Sequence, residues 1–149
     1  MLFRSAIAIK FEAAYLRALD FGPADQAAAA ATFAKYHDRG VPEAAEYKNL
    51  QDFLFKTAAV EAGRLGLVVQ IHTGSGCGDF FDTPGGDPMT LSPALNDPDL
   101  RKTTFVLLHG GSPFERGITA LIIKPNVYVD SSVLGLLWSP AELARTLRL

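Results

Sequence analysis

Two histidines carry most of the chemistry that this chain can be read for. Each closes an apolar run and is followed by threonine or glycine: Val69-Gln70-Ile71-His72-Thr73-Gly74 and Phe105-Val106-Leu107-Leu108-His109-Gly110-Gly111. From 72 to 109 they stand 37 residues apart, about one strand–helix repeat of a parallel α/β protein. Histidines at the carboxyl ends of neighbouring parallel strands open into one mouth, where α/β folds place their sites. Two further apolar runs end in titratable groups, Lys10 and Asp130. Neutral imidazole binds a divalent metal, a second imidazole can move a proton from water, and a lysine can ligate when carbamylated or act as an electrostatic clamp. These are the groups of a metal-assisted hydrolytic site. Asp130 precedes Ser131-Ser132 and equally suits the cap of the next segment.

The elements that must hold these groups follow from periodicity. Residues 5–10 read as a short strand ending in Lys10. Residues 24–37 are alanine-rich and helical. Gly40 and Pro42 break that helix, and a second runs from Pro42 or Glu43 to about Leu65, with Tyr47, Leu50, Phe53, Leu54 and Ala58 at helical spacing. Gly66 stops it, and residues 67–71 form a strand. Residues 74–93, rich in glycine and proline, read as a loop long enough to be functional. A short helix over 92–101, a strand over 104–108, a helix over 113–123 and a strand over 126–130 follow. Ser139-Pro140 starts a last helix. Strands that are apolar throughout predict burial on both faces, hence a parallel sheet covered by helices.

Composition narrows the function classes. The chain has 149 residues, 48% of them hydrophobic, a net charge of −2 and one cysteine. No basic surplus argues for nucleic acid, and no apolar stretch reaches the roughly 18 residues of a membrane span. The expectation is a soluble, cytoplasmic protein with a small-molecule substrate. Cys77 admits no internal disulfide and reads as a bystander thiol. His37, beside Asp38 and Arg39 at a helix end, suits the dipole and takes no further role. The glycines of Gly74-Ser75-Gly76-Cys77-Gly78 match neither a dinucleotide fingerprint nor a nucleophile elbow; they let backbone approach a substrate or a neighbouring loop.

Three stretches together, Val69 to Gly74, Phe105 to Phe114 and Pro125-Asn126-Val127-Tyr128-Val129-Asp130-Ser131-Ser132, resemble the amidohydrolase-related family of metal-dependent TIM-barrel hydrolases and decarboxylases. Ala8-Ile9-Lys10-Phe11-Glu12-Ala13-Ala14-Tyr15-Leu16-Arg17 resembles the family's fourth-strand region. The resemblance implies a partial (β/α)8 barrel, about strands four to seven. It implies His72 as a metal ligand, His109 as a ligand or proton shuttle, Lys10 at the metal, and Asp130 at the end of the seventh strand as a catalytic candidate. The metal it implies is most simply zinc, and the reaction is attack of a metal-bound hydroxide on a C–N or related bond, or decarboxylation.

The departures shape the rest of the expectation. The family's first strand carries a His-x-His pair, and no H-x-H occurs here. Its last strand carries an aspartate that this chain lacks. A full barrel takes roughly 200 residues or more, so the chain reads as one partial domain over 1–149, truncated at both ends. The alternative is a non-catalytic remnant or interaction module of the same fold. A serine α/β-hydrolase, suggested by the segment around His109, fails because no nucleophile elbow follows. An open half-barrel exposes two unpaired edges, the strands over 5–10 and 126–130, and the apolar side chains meant for the barrel interior, and predicts aggregation or self-association.

Overall fold

The computed structural model describes residues 6–78 and 81–148. Four parallel strands form one sheet in chain order: β1 Ala8–Phe11, β2 Val68–His72, β3 Thr104–Leu108 and β4 Val127–Val129. The register pairs Lys10 with Gln70, His72 with Leu108, and Leu107 with Val129. Lys10, His72, His109 and Asp130 therefore all fall at the carboxyl rim. By pairing and alternation Lys10, His72 and Asp130 share one face of the sheet.

The helices start and stop where local chemistry dictates. Asp25 accepts from the Ala28 backbone N–H and opens α1, Gln26–Tyr36. Reciprocal hydrogen bonds of Glu43 and Glu46 open α2, Ala44–Leu65, and Gly66 ends it at a left-handed φ of 70°. Between β2 and β3 lies α3, Ser92–Asn96; α4, Glu115–Leu121, precedes β4. The chain then forms α5, Leu134–Leu137, and α6, Pro140–Thr146. Ser139 and Glu142 cap α6 reciprocally, and Pro140 takes its first position.

Several expected boundaries move for identifiable reasons. The first strand is Ala8–Phe11 rather than 5–10, and Ser5 lies outside the described residues. The loop over 74–93 is partly ordered, because Pro84 and Pro88 each open a 3-10 turn with their fixed φ. The helix expected over 92–101 breaks at Asp97, whose ψ of 123° is extended; Pro98 behind it disfavours the helical region. α4 is shorter at both ends than the expected 113–123. α5 has no counterpart among the expected elements.

Burial corrects one further expectation. Val69, Ile71, Phe105 and Leu107 are fully buried and join Phe55, Ala59 and Ala62 of α2 in one core with Leu91 and Leu100. Their neighbours on the other face, Val68, Gln70, Thr104 and Val106, are only half-buried. The sheet is thus sealed on its helix side and semi-open on the side that a closed barrel would turn inward. On the outer strands, Lys10 of β1 and Tyr128 and Val129 of β4 are exposed, while Ile9, Phe11 and Val127 pack on the core.

A buried ion cluster ties the segment after β1 to α2. Asp52 is 4% exposed, and Arg17 Nη1 approaches its Oδ1 at 2.7 Å while Lys48 Nζ approaches Oδ2 at 2.7 Å. The Gly22 backbone N–H donates to the same carboxylate at 3.2 Å. The Arg17 guanidinium also lies 4.5 Å from the centre of the Phe21 ring, which stacks on Phe55.

Candidate metal centre at the strand rim

The two central strands deliver the histidines side by side. His72 is the last residue of β2, and His109 follows β3 directly. Their ring centroids are 4.7 Å apart at an interplanar angle of 63°. Thr73, fully buried, donates from Oγ1 to the Leu108 carbonyl at 2.6 Å, pinning the end of β2 to the end of β3.

Backbone crossings hold the loops behind the pair. The Gly74 N–H donates to the Gly86 carbonyl and the Ser75 N–H to the Ser112 carbonyl, each at 2.7 Å. Gly74 sits at φ 74°, and a Cβ there would run into the Ser112 carbonyl; one on Gly86 would run into Gly74. Of the two roles expected for the glycine loop, the structure shows close approach to neighbouring loops.

Each imidazole has one nitrogen engaged. His72 is 3% exposed; its Nε2 lies 3.2 Å from the Ser75 carbonyl, and its Nδ1 is buried without a hydrogen-bond partner. A carbonyl only accepts, so Nε2 carries the proton and the Nδ1 lone pair is bare. Burial, then the charges of His109 and Lys10, pull the His72 pKa below the usual 6.5 against the opposing pull of the Ser75 hydrogen bond and of Glu12. His109 lies 3.0 Å through Nδ1 from the Ser132 hydroxyl and 3.2 Å from the Ser132 carbonyl. Its Nε2 makes no hydrogen bond among the described residues.

A low His72 pKa has a stability consequence. The native protein keeps the ring neutral, so the unfolded chain takes up a proton first as pH falls. The stability contributed is present above about pH 6.5 and is lost as pH drops through the depressed native value. Urea unfolding of the wild type should show this acid-side loss. His72→Gln should flatten it; an unchanged pH profile in that variant would contradict the assignment.

The other two expected groups are placed differently. Lys10 Nζ is paired with Glu12 Oε1 at 3.0 Å and is substantially exposed. No hydrogen bond joins it to either histidine, and it acts on His72 through its charge. Asp130 Oδ1 accepts from the His109 N–H at 2.9 Å, the Ser132 N–H at 3.0 Å and the Ser132 hydroxyl at 2.7 Å. Burial raises its pKa, but these hydrogen bonds and the His109 charge outweigh that and leave it lowered. Sequence reasoning gave no role to Tyr15 or Phe81, whose rings lie 4.4 Å and 6.0 Å from that of His72 and wall it in. Nothing local marks them, since turns of the chain after β1 and β2 bring them together.

The donor set matches a divalent metal in kind: two neutral imidazoles, one with a buried, orphaned nitrogen. In number it falls short, because among the described residues no three His, Cys, Asp or Glu side chains converge.

Comparisons with known proteins agree with this fold. The amidohydrolase family matches residues 8–149. A solved structure from Lactobacillus casei ATCC 334, assigned as a metal-dependent hydrolase, is 28% identical with a TM-score of 0.75. The match covers 93% of this chain and 36% of that one, so the chain spans about a third of the length of the structure it resembles. No curated protein matches. The four parallel strands, the histidine pair at their rim and a family match over nearly the whole chain lead to one conclusion: this chain belongs to the amidohydrolase family, with the fold of a partial TIM barrel.

Proposed function

We propose that the chain contributes His72 and His109 to the centre of a metal-dependent hydrolase that acts on a C–N or related bond of a small molecule, or decarboxylates it. The observation that carries this reading is the pair of adjacent imidazoles, each with one ring nitrogen fixed by a carbonyl or hydroxyl and the other free of partners. His72 would hold the metal through its orphaned nitrogen, and His109 would hold it or take the proton of the attacking water. Lys10, on the same face and half-exposed, would steer an anionic substrate or ligand. Zinc is the metal this donor chemistry suits best. When bound, such a cation supplies the Lewis acidity that activates water at neutral pH. Tyr15 and Phe81 keep water from His72 and give a planar substrate a face to lie on.

Calorimetric titration of the protein with zinc at pH 7.5 tests the assignment. Loss of His72 in His72→Ala should weaken binding at least about tenfold, or 1.4 kcal/mol. Equal affinities would remove His72 from the metal.

A second reading is favoured by the absence of a third donor among the described residues. In it the polypeptide is a single partial domain over 1–149 that keeps the fold without catalysis, and its open edges pair with another copy. β1, β4 and the exposed Ile123, Leu136 and Leu137 would supply that contact. Sedimentation as a stable monomer would count against self-association. Activity recovered by adding a separately expressed piece bearing a His-x-His strand would favour the enzyme.

A further inference from the structure

The segment after β4 wraps back onto His109 through one residue, Ser132, and the direction of each hydrogen bond there can be worked out. Asp130 Oδ1 receives the Ser132 hydroxyl at 2.7 Å, and a carboxylate only accepts. That bond uses the single proton of the serine. The same oxygen of Ser132 lies 3.0 Å from His109 Nδ1, so this contact closes only if Nδ1 carries a proton and donates it. The Ser132 carbonyl, 3.2 Å from Nδ1, is a longer and weaker second acceptor that pulls in the same direction. Two acceptors on one residue therefore select one tautomer of the neutral ring.

The backbone is bent to make this possible. His109 stands at φ 69°, a left-handed conformation that a histidine rarely adopts. Asp130 holds it there. Its carboxylate accepts the His109 N–H at 2.9 Å, its carbonyl accepts the Gly110 N–H at 2.8 Å, and its own N–H reaches the Leu107 carbonyl at 3.1 Å. The carboxylate thus fixes the main chain of His109 directly and its ring by way of the serine.

We infer that Ser132 is the positioning residue of His109: it relays the Asp130 carboxylate to Nδ1, locks the ring as the Nδ1–H tautomer, and leaves Nε2 as the nitrogen that accepts a proton or a cation. Asp130 is then the anchor of this relay, and His109 the group that acts. The inference deepens the function proposed above and rests on His109 being a working group of that site. The tautomer itself can be read whether or not the site is catalytic.

The test is long-range proton–nitrogen correlation NMR of the metal-free chain with 15N-labelled histidine at pH 8, with the His109 signals assigned from His109→Gln. The wild type should show His109 as the Nδ1–H form. Ser132→Ala keeps only the carbonyl acceptor and should shift the ring toward a mixture of tautomers, whereas Ser132→Thr should restore the wild-type pattern. Zinc affinity should fall about tenfold in Ser132→Ala, the scale typical of lost outer-sphere partners, and recover in Ser132→Thr. An Nε2–H ring in the wild type, or His109 signals unmoved in Ser132→Ala, would overturn the relay. If Ser132→Ala does not fold, the tautomer of the wild type and of Ser132→Thr still decides. A correct tautomer with zinc affinity unaffected by His72→Ala would leave the relay standing and sink the metal reading instead.

Discussion

Gly74→Ala should destabilise the fold severely. The position combines two penalties that rarely coincide. Its φ of 74° strains any residue with a Cβ, by about 1 kcal/mol. The added methyl would also meet the Ser112 carbonyl and the Gly111 backbone, which no side-chain rotation can move aside. The Gly74–Gly86 and Ser75–Ser112 hydrogen bonds would have to break to make room. Together these should cost more than about 4 kcal/mol, against a total stability of roughly 5–15 kcal/mol for an ordinary domain. Gly66→Ala is the matched control. It has a similar φ of 70° but nothing within 4 Å of its added Cβ, so it should lose only the conformational part. Thermal unfolding followed by circular dichroism separates the two. Equal melting temperatures would mean that the loop crossing yields easily.

Asp52→Ala should be the next most damaging change. It removes the buried carboxylate shared by Arg17 and Lys48, leaves Arg17 only the exposed Asp20 at 3.0 Å as counter-charge, and removes the acceptor of the Gly22 N–H. Because Asp20 still pairs with Arg17, the cost should fall below the roughly 3–5 kcal/mol of a fully unpaired buried charge. Lys48 is half-exposed and can turn to water. The effect should reach the rim, because the same strap binds the Gly85 carbonyl through the Leu19 N–H. Replacing both partners, Arg17→Met with Asp52→Leu, should recover most of the stability, since an apolar pair carries no stranded charge. Urea midpoints of the wild type and the two variants decide it: a double variant as weak as Asp52→Ala alone would show that the cluster acts by more than charge compensation.

How far the site could be read from sequence depended on which contacts make it. β2 and β3 are apolar at almost every position and end at polar, glycine-bearing segments, so their limits and both histidines were legible to within a residue. Asp130 was legible as a strand-end acid, but its dual fit as cap and functional group could be resolved only when its hydrogen bonds were seen. Ser132 was visible merely as part of a capping segment. Its role comes from the left-handed turn at His109, a non-glycine residue whose φ no local propensity foretells. Tyr15 and Phe81 come together through folding of two distant loops. α5 is a run of leucines around a glycine whose helical turn depends on the packing of Leu134. The half-open second face followed only from the resemblance to part of a barrel, because continuous apolar strands look alike whether the second layer is present or absent.

The strand pairings have a consequence for the order of assembly. All neighbours in the sheet are consecutive in sequence, but the chain between them shortens steadily, from Ala8 paired with Val68, to Val68 with Thr104, to Phe105 with Val127. Loop-closure entropy makes the first pairing about 1 kcal/mol more costly to start than the last. Folding should therefore begin around β3 and β4, add β2, and dock β1 last. On that schedule the two histidines and the Asp130–Ser132 turn meet while Lys10 is still on unpaired chain, so the imidazole pair is assembled before its electrostatic surroundings arrive.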